Sequence, residues 1–208
     1  MCYSPKISLI TYIIGIIGCI VLLFYKENYK AEAMFFAWVI HMQMIDFILW
    51  KNQPCNDINK HATKIGSVIN NMEPIILYIA IILFSSKKLS SASHILMIFY
   101  ILFAFLYTMQ QTDVCTSTTA DSSPYLYWAW NYMTNSKIFY IFFIIVMMFI
   151  SVDGIENGYI LAPGLLITWL ISLYIYDYKH IIGSMWCFFA AFAPILLPYI
   201  YKIKNNII

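Results

Sequence analysis

The feature that most constrains this chain is a series of long apolar stretches that nearly fill it. Seven of them approach the roughly 20 residues that an α-helix needs to cross a bilayer. They do not alternate apolar and polar residues, as the strands of a transmembrane barrel would. The sequence therefore predicts an all-α polytopic membrane protein, with seven transmembrane helices forming one bundle and one domain over residues 1–208. The predicted spans are 7–25, 32–50, 65–85, 92–111, 136–151, 159–176 and 181–201.

Composition agrees with this fold class. The chain is 62% hydrophobic and 11% charged, whereas soluble domains carry about 25% charged residues. All twelve basic residues are lysines, and they are scattered over the predicted helix ends rather than gathered in a patch. This distribution excludes a nucleic-acid partner and leaves the lipid bilayer as the predicted one.

The two longest connections lie on the N-terminal side of the predicted bundle. Residues 112–135 are rich in Tyr and Trp, which favour the headgroup layer, and this predicts an interfacial loop with a short surface helix. A lid over a pocket is the alternative. Cys55 and Cys115 fall one in each connection, so a disulfide and two free thiols are both open.

Orientation is not decided by the lysines, which divide equally between the two sides of the predicted bundle. The compact Lys87–Lys88 loop and the lysine-containing C-terminal tail lie opposite the two loop cysteines. These features favour an N-terminus that is outside or lumenal and a C-terminus that is cytosolic.

Polar residues interrupt the second predicted span at "HMQMIDFILW". Gln43, Asp46 and Trp50 are spaced three, four and seven apart, so they share one helix face. An aspartate at the middle of a spanning helix costs about 2.5–3.5 kcal/mol on insertion scales. Such a residue is expected to face the bundle interior or a polar cavity.

The third predicted span repeats the pattern at "NNMEPIIL", on the same side of the membrane. Asn70, Asn71 and Glu73 lie within one turn, and Pro74 lacks the N–H that would bond the carbonyl of Asn70. Gln110 ends the fourth span on this side. We therefore predict a polar pocket near the N-terminal-side face. Its candidate ligand-binding residues are Gln43, Asp46, Trp50, Asn70, Asn71, Glu73 and Gln110.

Three functions fit such a pocket. The first is binding or passage of a small polar ligand, a lipid headgroup or an ion. The second is a membrane-embedded lipid hydrolase, in which Asp46 and Glu73 would be the catalytic acid and base. The third is a structural membrane component of a virion or host compartment, in which the polar groups only hold helices together.

No cofactor or metal is predicted. The four histidines are far apart in sequence and form no metal-ligand spacing. The last predicted span contains no lysine for the Schiff base that a retinal protein requires.

Four short motifs of this sequence resemble those of a known family. They are "MCYSPKIS", "HMQMIDFILW", "CNDIN" and "NNMEPIIL". Together they resemble an uncharacterised family of multi-pass membrane proteins from large DNA viruses of protists. Distant bacterial members start Met-Cys-aromatic-Ser and carry a Gln-x-x-acid-x-x-x-Trp helix. Those positions are Cys2, Ser4, Gln43, Asp46 and Trp50 here.

The resemblance implies a viral protein with Cys2 and Ser4 near Asp46, and it implies no activity. A free N-terminal Cys2 as nucleophile or acyl acceptor is one interpretation of this segment. A simple helix start at Ser4, with Pro5 as the first helical residue, is the other.

Overall fold

The structure is a computed structural model that describes residues 4–53, 55–110, 114–118, 125–176 and 181–207. These residues form α-helices joined by short turns and one longer loop, which confirms the all-α prediction. The helices are α1 (Pro5–Tyr25), α2 (Lys30–Lys51), α3 (Asp57–Asn71), α4 (Glu73–Phe84), α5 (Ser91–Met109), α6 (Ser136–Gly154), α7 (Gly158–Tyr176), α8 (Ile182–Ala190) and α9 (Ala193–Ile207).

Side-chain caps fix the starts of three helices. At α1, the Ser4 hydroxyl accepts a hydrogen bond from the Ile7 N–H at 3.3 Å, and Pro5 is the first helical residue. This is the simple helix start that the sequence offered as one interpretation. Asn56 caps α3 and Ser90 caps α5 in the same way.

Five helices in the described ranges are long and apolar enough to cross a membrane, namely α1, α2, α5, α6 and α7. Two further pairs, α3 with α4 and α8 with α9, qualify only when each bent pair is taken as one span. Outward-facing side chains are apolar, as in Phe24 (82% exposed) and Phe99 (62%). A chain with five to seven such helices is a multi-pass membrane protein.

The third predicted span, 65–85, is broken where the sequence predicted a continuous helix. It consists of α3 and α4, which meet at Met72 with a bend of 49°. Pro74 is the cause, because its ring removes one backbone N–H and crowds the preceding turn. The neighbouring helices satisfy the carbonyls at the break: the Trp38 indole N–H donates to Ile69 O at 2.9 Å and the Tyr100 hydroxyl donates to Asn71 O at 2.7 Å.

The last predicted span, 181–201, is broken in the same manner. It consists of α8 and α9, which meet at a bend of 55°. Pro194 stands at the second position of α9, so it lacks the N–H that would bond the carbonyl of Ala190 at the end of α8, and its ring crowds that carbonyl. Both prolines sit in the first turn of the second helix, where a missing N–H is tolerated.

Helix α2 is the centre of the bundle. It packs against α1, α3, α4, α8 and α9, and it is the most buried of the five candidate spanning helices. Gln43 and Asp46, which share one face of this helix, are fully buried. The central position of α2 therefore places the aspartate inside the protein rather than against lipid.

The connection between α5 and α6 differs from the interfacial loop predicted over 112–135. Its described part contains a two-stranded antiparallel hairpin, β1 (Ser117–Thr118) and β2 (Leu126–Tyr127), with Ser117 opposite Tyr127. A 3-10 helix, Ala129–Tyr132, follows. Trp128 and Trp130 are 1% and 0% exposed, so these two indoles are buried within the protein rather than exposed on its surface.

Covalent and polar contacts fix this loop to the start of α3. Cys55 and Cys115 form a disulfide, with Cα atoms 5.6 Å apart, which decides between the two alternatives left open by the sequence. Beside it, the buried Asn59 side chain donates to Thr116 O at 2.8 Å and accepts from the Thr116 N–H at 3.0 Å. Thr63 adds a hydroxyl contact to Thr116 at 3.0 Å.

We predict that reduction exposes two additional reactive thiols. The chain has five cysteines, of which Cys19 and Cys187 lie outside the disulfide as reduced thiols. Denatured, unreduced protein treated with polyethylene-glycol maleimide should gain two further adducts after reduction, as counted by gel mobility. In Cys55→Ser protein, reduction should add none, because Cys115 is then free from the start. Reaction of all five thiols before reduction would contradict the disulfide.

Candidate functional site

Asp46 is bound by a residue that lies far along the chain. Its carboxylate Oδ1 accepts a hydrogen bond from the Trp128 indole N–H at 2.7 Å, and both side chains are buried. Hydrogen bonds to an ionised acceptor are among the stronger ones in proteins. The loop between α5 and α6 thus supplies Asp46 with a hydrogen-bond donor.

Asn70 is the centre of a second group of contacts, at the break between α3 and α4. Its amide donates to Glu73 Oε1 at 3.1 Å. Its carbonyl oxygen accepts from the Trp130 indole N–H at 3.2 Å and from the Tyr140 hydroxyl at 2.9 Å. Both lone pairs of this oxygen are therefore occupied.

Asn71 joins the same network from the next position. Its amide donates to the Thr108 hydroxyl at 2.9 Å, and its side-chain oxygen lies 3.4 Å from the Tyr140 hydroxyl. Residues Asn70, Asn71 and Glu73 are each at most 2% exposed. The three polar residues predicted on this turn are thus brought together, and they connect α3, α4, α5 and α6.

The two tryptophans link the groups around Asp46 and Asn70. The rings of Trp128 and Trp130 are stacked, with centroids 4.9 Å apart and planes at 23°. A continuous set of contacts therefore runs from Asp46 through the two indoles to Asn70 and Glu73. The Tyr107 hydroxyl of α5 donates a hydrogen bond to Trp130 O at 2.6 Å and so fixes the tryptophan pair to that helix.

Two glycines make room for the inserted indoles. A methyl group on Gly66 of α3 would lie 3.0 Å from Trp130 Cη2 and 2.9 Å from a methyl of Ile45. A methyl group on Gly183 of α8 would lie 2.9 Å from Trp128 Cε3 and would clash with the Asn131 amide nitrogen. The tryptophan pair is therefore enclosed between a glycine of α3 and a glycine of α8.

Gln43 and Trp50 are on the Asp46 face of α2, as their spacing predicted. Gln43 is fully buried. Within the described part of the chain, neither its amide atoms nor the Trp50 indole N–H has a hydrogen-bond partner, and the same holds for Glu73 Oε2. Buried polar atoms left unpaired cost about 1–3 kcal/mol each, so the Gln43 amide is less well satisfied than the amides of Asn70 and Asn71.

The remaining sequence candidates lie elsewhere. Gln110 is exposed at the C-terminal end of α5 and is not brought to the cluster, because the helix turns this position outward. His41 is exposed on α2, where a ring nitrogen contacts Ala37 O at 2.6 Å. Cys2 lies outside the described residues. Among those that are described, no three His, Cys, Asp or Glu side chains come together as a metal site.

A buried acid that sequence reasoning passed over lies at the opposite end of α2. Glu32 is 1% exposed, and it lies beside Tyr201 of α9. The ring of Tyr201 in turn packs on Tyr29, with centroids 5.2 Å apart. Burial raises the pKa of Tyr29, and the nearby Glu32 carboxyl adds to this rise. Glu32 is the first residue of the predicted span 32–50, and a polar side chain at a helix end can usually reach water, so the sequence gives no sign of its burial.

A cavity of about 310 Å³ lies beside the polar cluster, between α6, α7, α8 and the 3-10 helix. Aromatic side chains form much of its wall, and Asn70 and Tyr140 reach it from the cluster. Neither Asp46 nor Glu73 is among the described residues that line it. Its lining includes Asn70, Lys137, Ile141, Trp169, Leu173 and Trp186.

The arrangement can do two things chemically. The buried network fixes the loop by pairing carboxylate and amide groups with indole and phenol donors. The cavity offers an apolar volume that ends at a polar turn.

The chain matches no family model, no curated protein and no solved structure. The resemblance to the viral family therefore stays a prediction.

We predict that Gly183→Ala destabilises the protein by about 1–3 kcal/mol, the usual cost of overpacking. The added methyl group must displace Asn131 or Trp128. Gly164→Ala in α7 is the matched control, since nothing lies within 4 Å of its added methyl and alanine favours a helix. Unfolding in detergent, followed by near-ultraviolet circular dichroism, measures both. Equal stability of the two variants would contradict the packing around Trp128.

We also predict that Asp46 and Trp128 are energetically coupled. Asp46→Asn and Trp128→Phe should each destabilise the protein, and the double variant should fall short of additivity by about 0.5–3 kcal/mol. The control cycle pairs Asp46→Asn with Trp38→Phe, because Trp38 donates to Ile69 O and shares no described partner with Asp46. Additivity in both cycles would show that the Asp46–Trp128 bond contributes nothing to stability.

Proposed function

We propose that this chain is an integral membrane protein of seven spans that binds a small amphipathic molecule in the cavity between α6, α7 and α8. The observation that carries the proposal is the meeting of an aromatic-walled cavity with the buried polar turn at Asn70. Ligand sites are commonly apolar volumes with a few placed polar groups. At about 310 Å³, this cavity is at the small end of their usual range of roughly 300–1,000 Å³.

The cavity is accessible from the lipid-facing surface of α6. Ile141 lines it and is 51% exposed. A ligand dissolved in the bilayer would therefore enter sideways rather than through the aqueous phase. Its apolar part would lie between Trp169 and Trp186, and its polar part would lie toward the N-terminal-side ends of α6 and α8.

Seven spans with an external N-terminus are part of this proposal. The two bent pairs each join helices across a break of a few residues, which suits one crossing per pair. The Cys55–Cys115 disulfide supports an extracytoplasmic location for the α2–α3 and α5–α6 connections, because disulfides persist in oxidising compartments. The cavity would then open on the external or lumenal half of the membrane.

Binding is favoured over hydrolysis by the positions of the two acids. An acid and base must reach the substrate within hydrogen-bond distance, and neither Asp46 nor Glu73 is among the described residues lining the cavity. Asp46 instead binds Trp128, which favours the structural role that the sequence left open for this residue. In this proposal the buried network shapes the cavity and Asn70 is its contact with the ligand.

The proposal is tested with a neutral bromoalkyl probe, 11-bromoundecan-1-ol, added to the protein in nanodiscs of phosphatidylcholine. Bromine quenches tryptophan fluorescence at short range, and two indoles line the cavity. We expect saturable quenching in the wild type. Ile141→Phe with Leu173→Phe should fill the cavity and raise the apparent Kd at least about tenfold, the equivalent of ~1.4 kcal/mol.

The matched control is Ile145→Phe with Leu170→Phe, on the same two helices. These residues are 52% and 45% exposed and are not among the residues described as lining the cavity. The control should bind the probe like the wild type. Quenching that is linear in probe concentration, or equal in both double variants, would mean that the probe reports bulk lipid and that the cavity binds nothing.

A further inference from the structure

The rim of the cavity carries a positive charge. Lys137 lies in the first turn of α6 and is exposed, and it is the one charged side chain among the described residues that line the cavity. A helix N-terminus carries a partial positive charge of the same sign. The rim is therefore electrostatically suited to an anion, whereas the walls below it are apolar.

The walls restrict the apolar part of a ligand. Trp186 is 4% exposed, and its indole N–H donates to the Thr168 hydroxyl of α7 at 3.0 Å, which fixes the ring in the wall. Phe143 is 1% exposed and packs edge-on against Trp186, with centroids 5.7 Å apart. A volume of about 310 Å³ enclosed by such fixed rings suits one alkyl chain rather than two.

From the charged rim and the narrow aromatic walls, we propose that the ligand is an anionic single-chain amphiphile of the fatty-acid type. Its headgroup pairs with Lys137, and its chain lies between Trp169 and Trp186. This inference rests on the proposed function, since it names the class of molecule that the same cavity binds. Lys137 is its specificity-determining residue, because it distinguishes a charged from a neutral headgroup.

The test compares two probes that differ only in the headgroup, 11-bromoundecanoic acid and 11-bromoundecan-1-ol, at pH 8 in phosphatidylcholine nanodiscs. At this pH a carboxyl group near the bilayer surface is ionised. A partly solvated ion pair contributes up to about 1 kcal/mol, so the acid should bind about fivefold more tightly than the alcohol. Lys137→Gln should abolish this preference, so that the acid and the alcohol bind with equal affinity.

Two controls isolate the position of the charge. Lys137→Arg keeps the charge and should keep the preference for the acid. Lys6→Gln removes a lysine from the first turn of α1, an equivalent position on another helix, and should behave like the wild type. It reports any general effect of surface charge on the partition of the acid into the bilayer.

The outcomes separate this inference from the proposed function. If acid and alcohol bind equally in the wild type and Lys137→Gln changes neither, the anionic class is wrong while the cavity still binds amphiphiles. If Lys6→Gln lowers acid binding as much as Lys137→Gln does, the preference belongs to the membrane surface and the inference fails. If neither probe responds to the Ile141→Phe with Leu173→Phe variant, the proposed function itself fails.

Discussion

The hydrogen bond from the Trp128 indole to the Asp46 carboxylate is the interaction on which the rest of the structure depends. An aspartate buried in the central helix is costly unless a donor reaches it. The donor comes from a loop, so the loop has to enter the bundle. Once Trp128 is inside, Trp130 stacks on it and reaches Asn70, and α3 and α8 must provide glycines where the rings lie.

The two bent helix pairs, α3 with α4 and α8 with α9, also pack around these indoles. The bend between α3 and α4 exposes carbonyl groups that Trp38 and Tyr100 bind, so the break is fixed by aromatic donors of the neighbouring helices. The bend between α8 and α9 begins a few residues beyond Cys187, whose sulfur lies 4.0 Å from Glu73 Oε1. Both breaks thus lie close to the polar cluster, where irregular backbone is shielded from lipid.

The sequence predicted what depends on local pattern and missed what depends on distant partners. Composition and local pattern are enough to predict the apolar helices, the helix start at Ser4 and the shared turn of Asn70, Asn71 and Glu73. The insertion of Trp128 does not, because aromatic residues in a loop indicate the membrane interface just as well. Gln110 was placed at the correct helix end, but the direction of its side chain depends on how α5 rotates in the bundle.

The long separation of Asp46 and Trp128, 82 residues along the chain, has a consequence for biogenesis. At 5–20 residues per second, roughly 4–16 s pass on the ribosome between the synthesis of the aspartate and of its indole donor. During that time the Asp46 carboxyl lacks the Trp128 donor. The Trp128 contact, and with it the packing of the α5–α6 loop against α2, therefore forms only after more than half of the chain has been made.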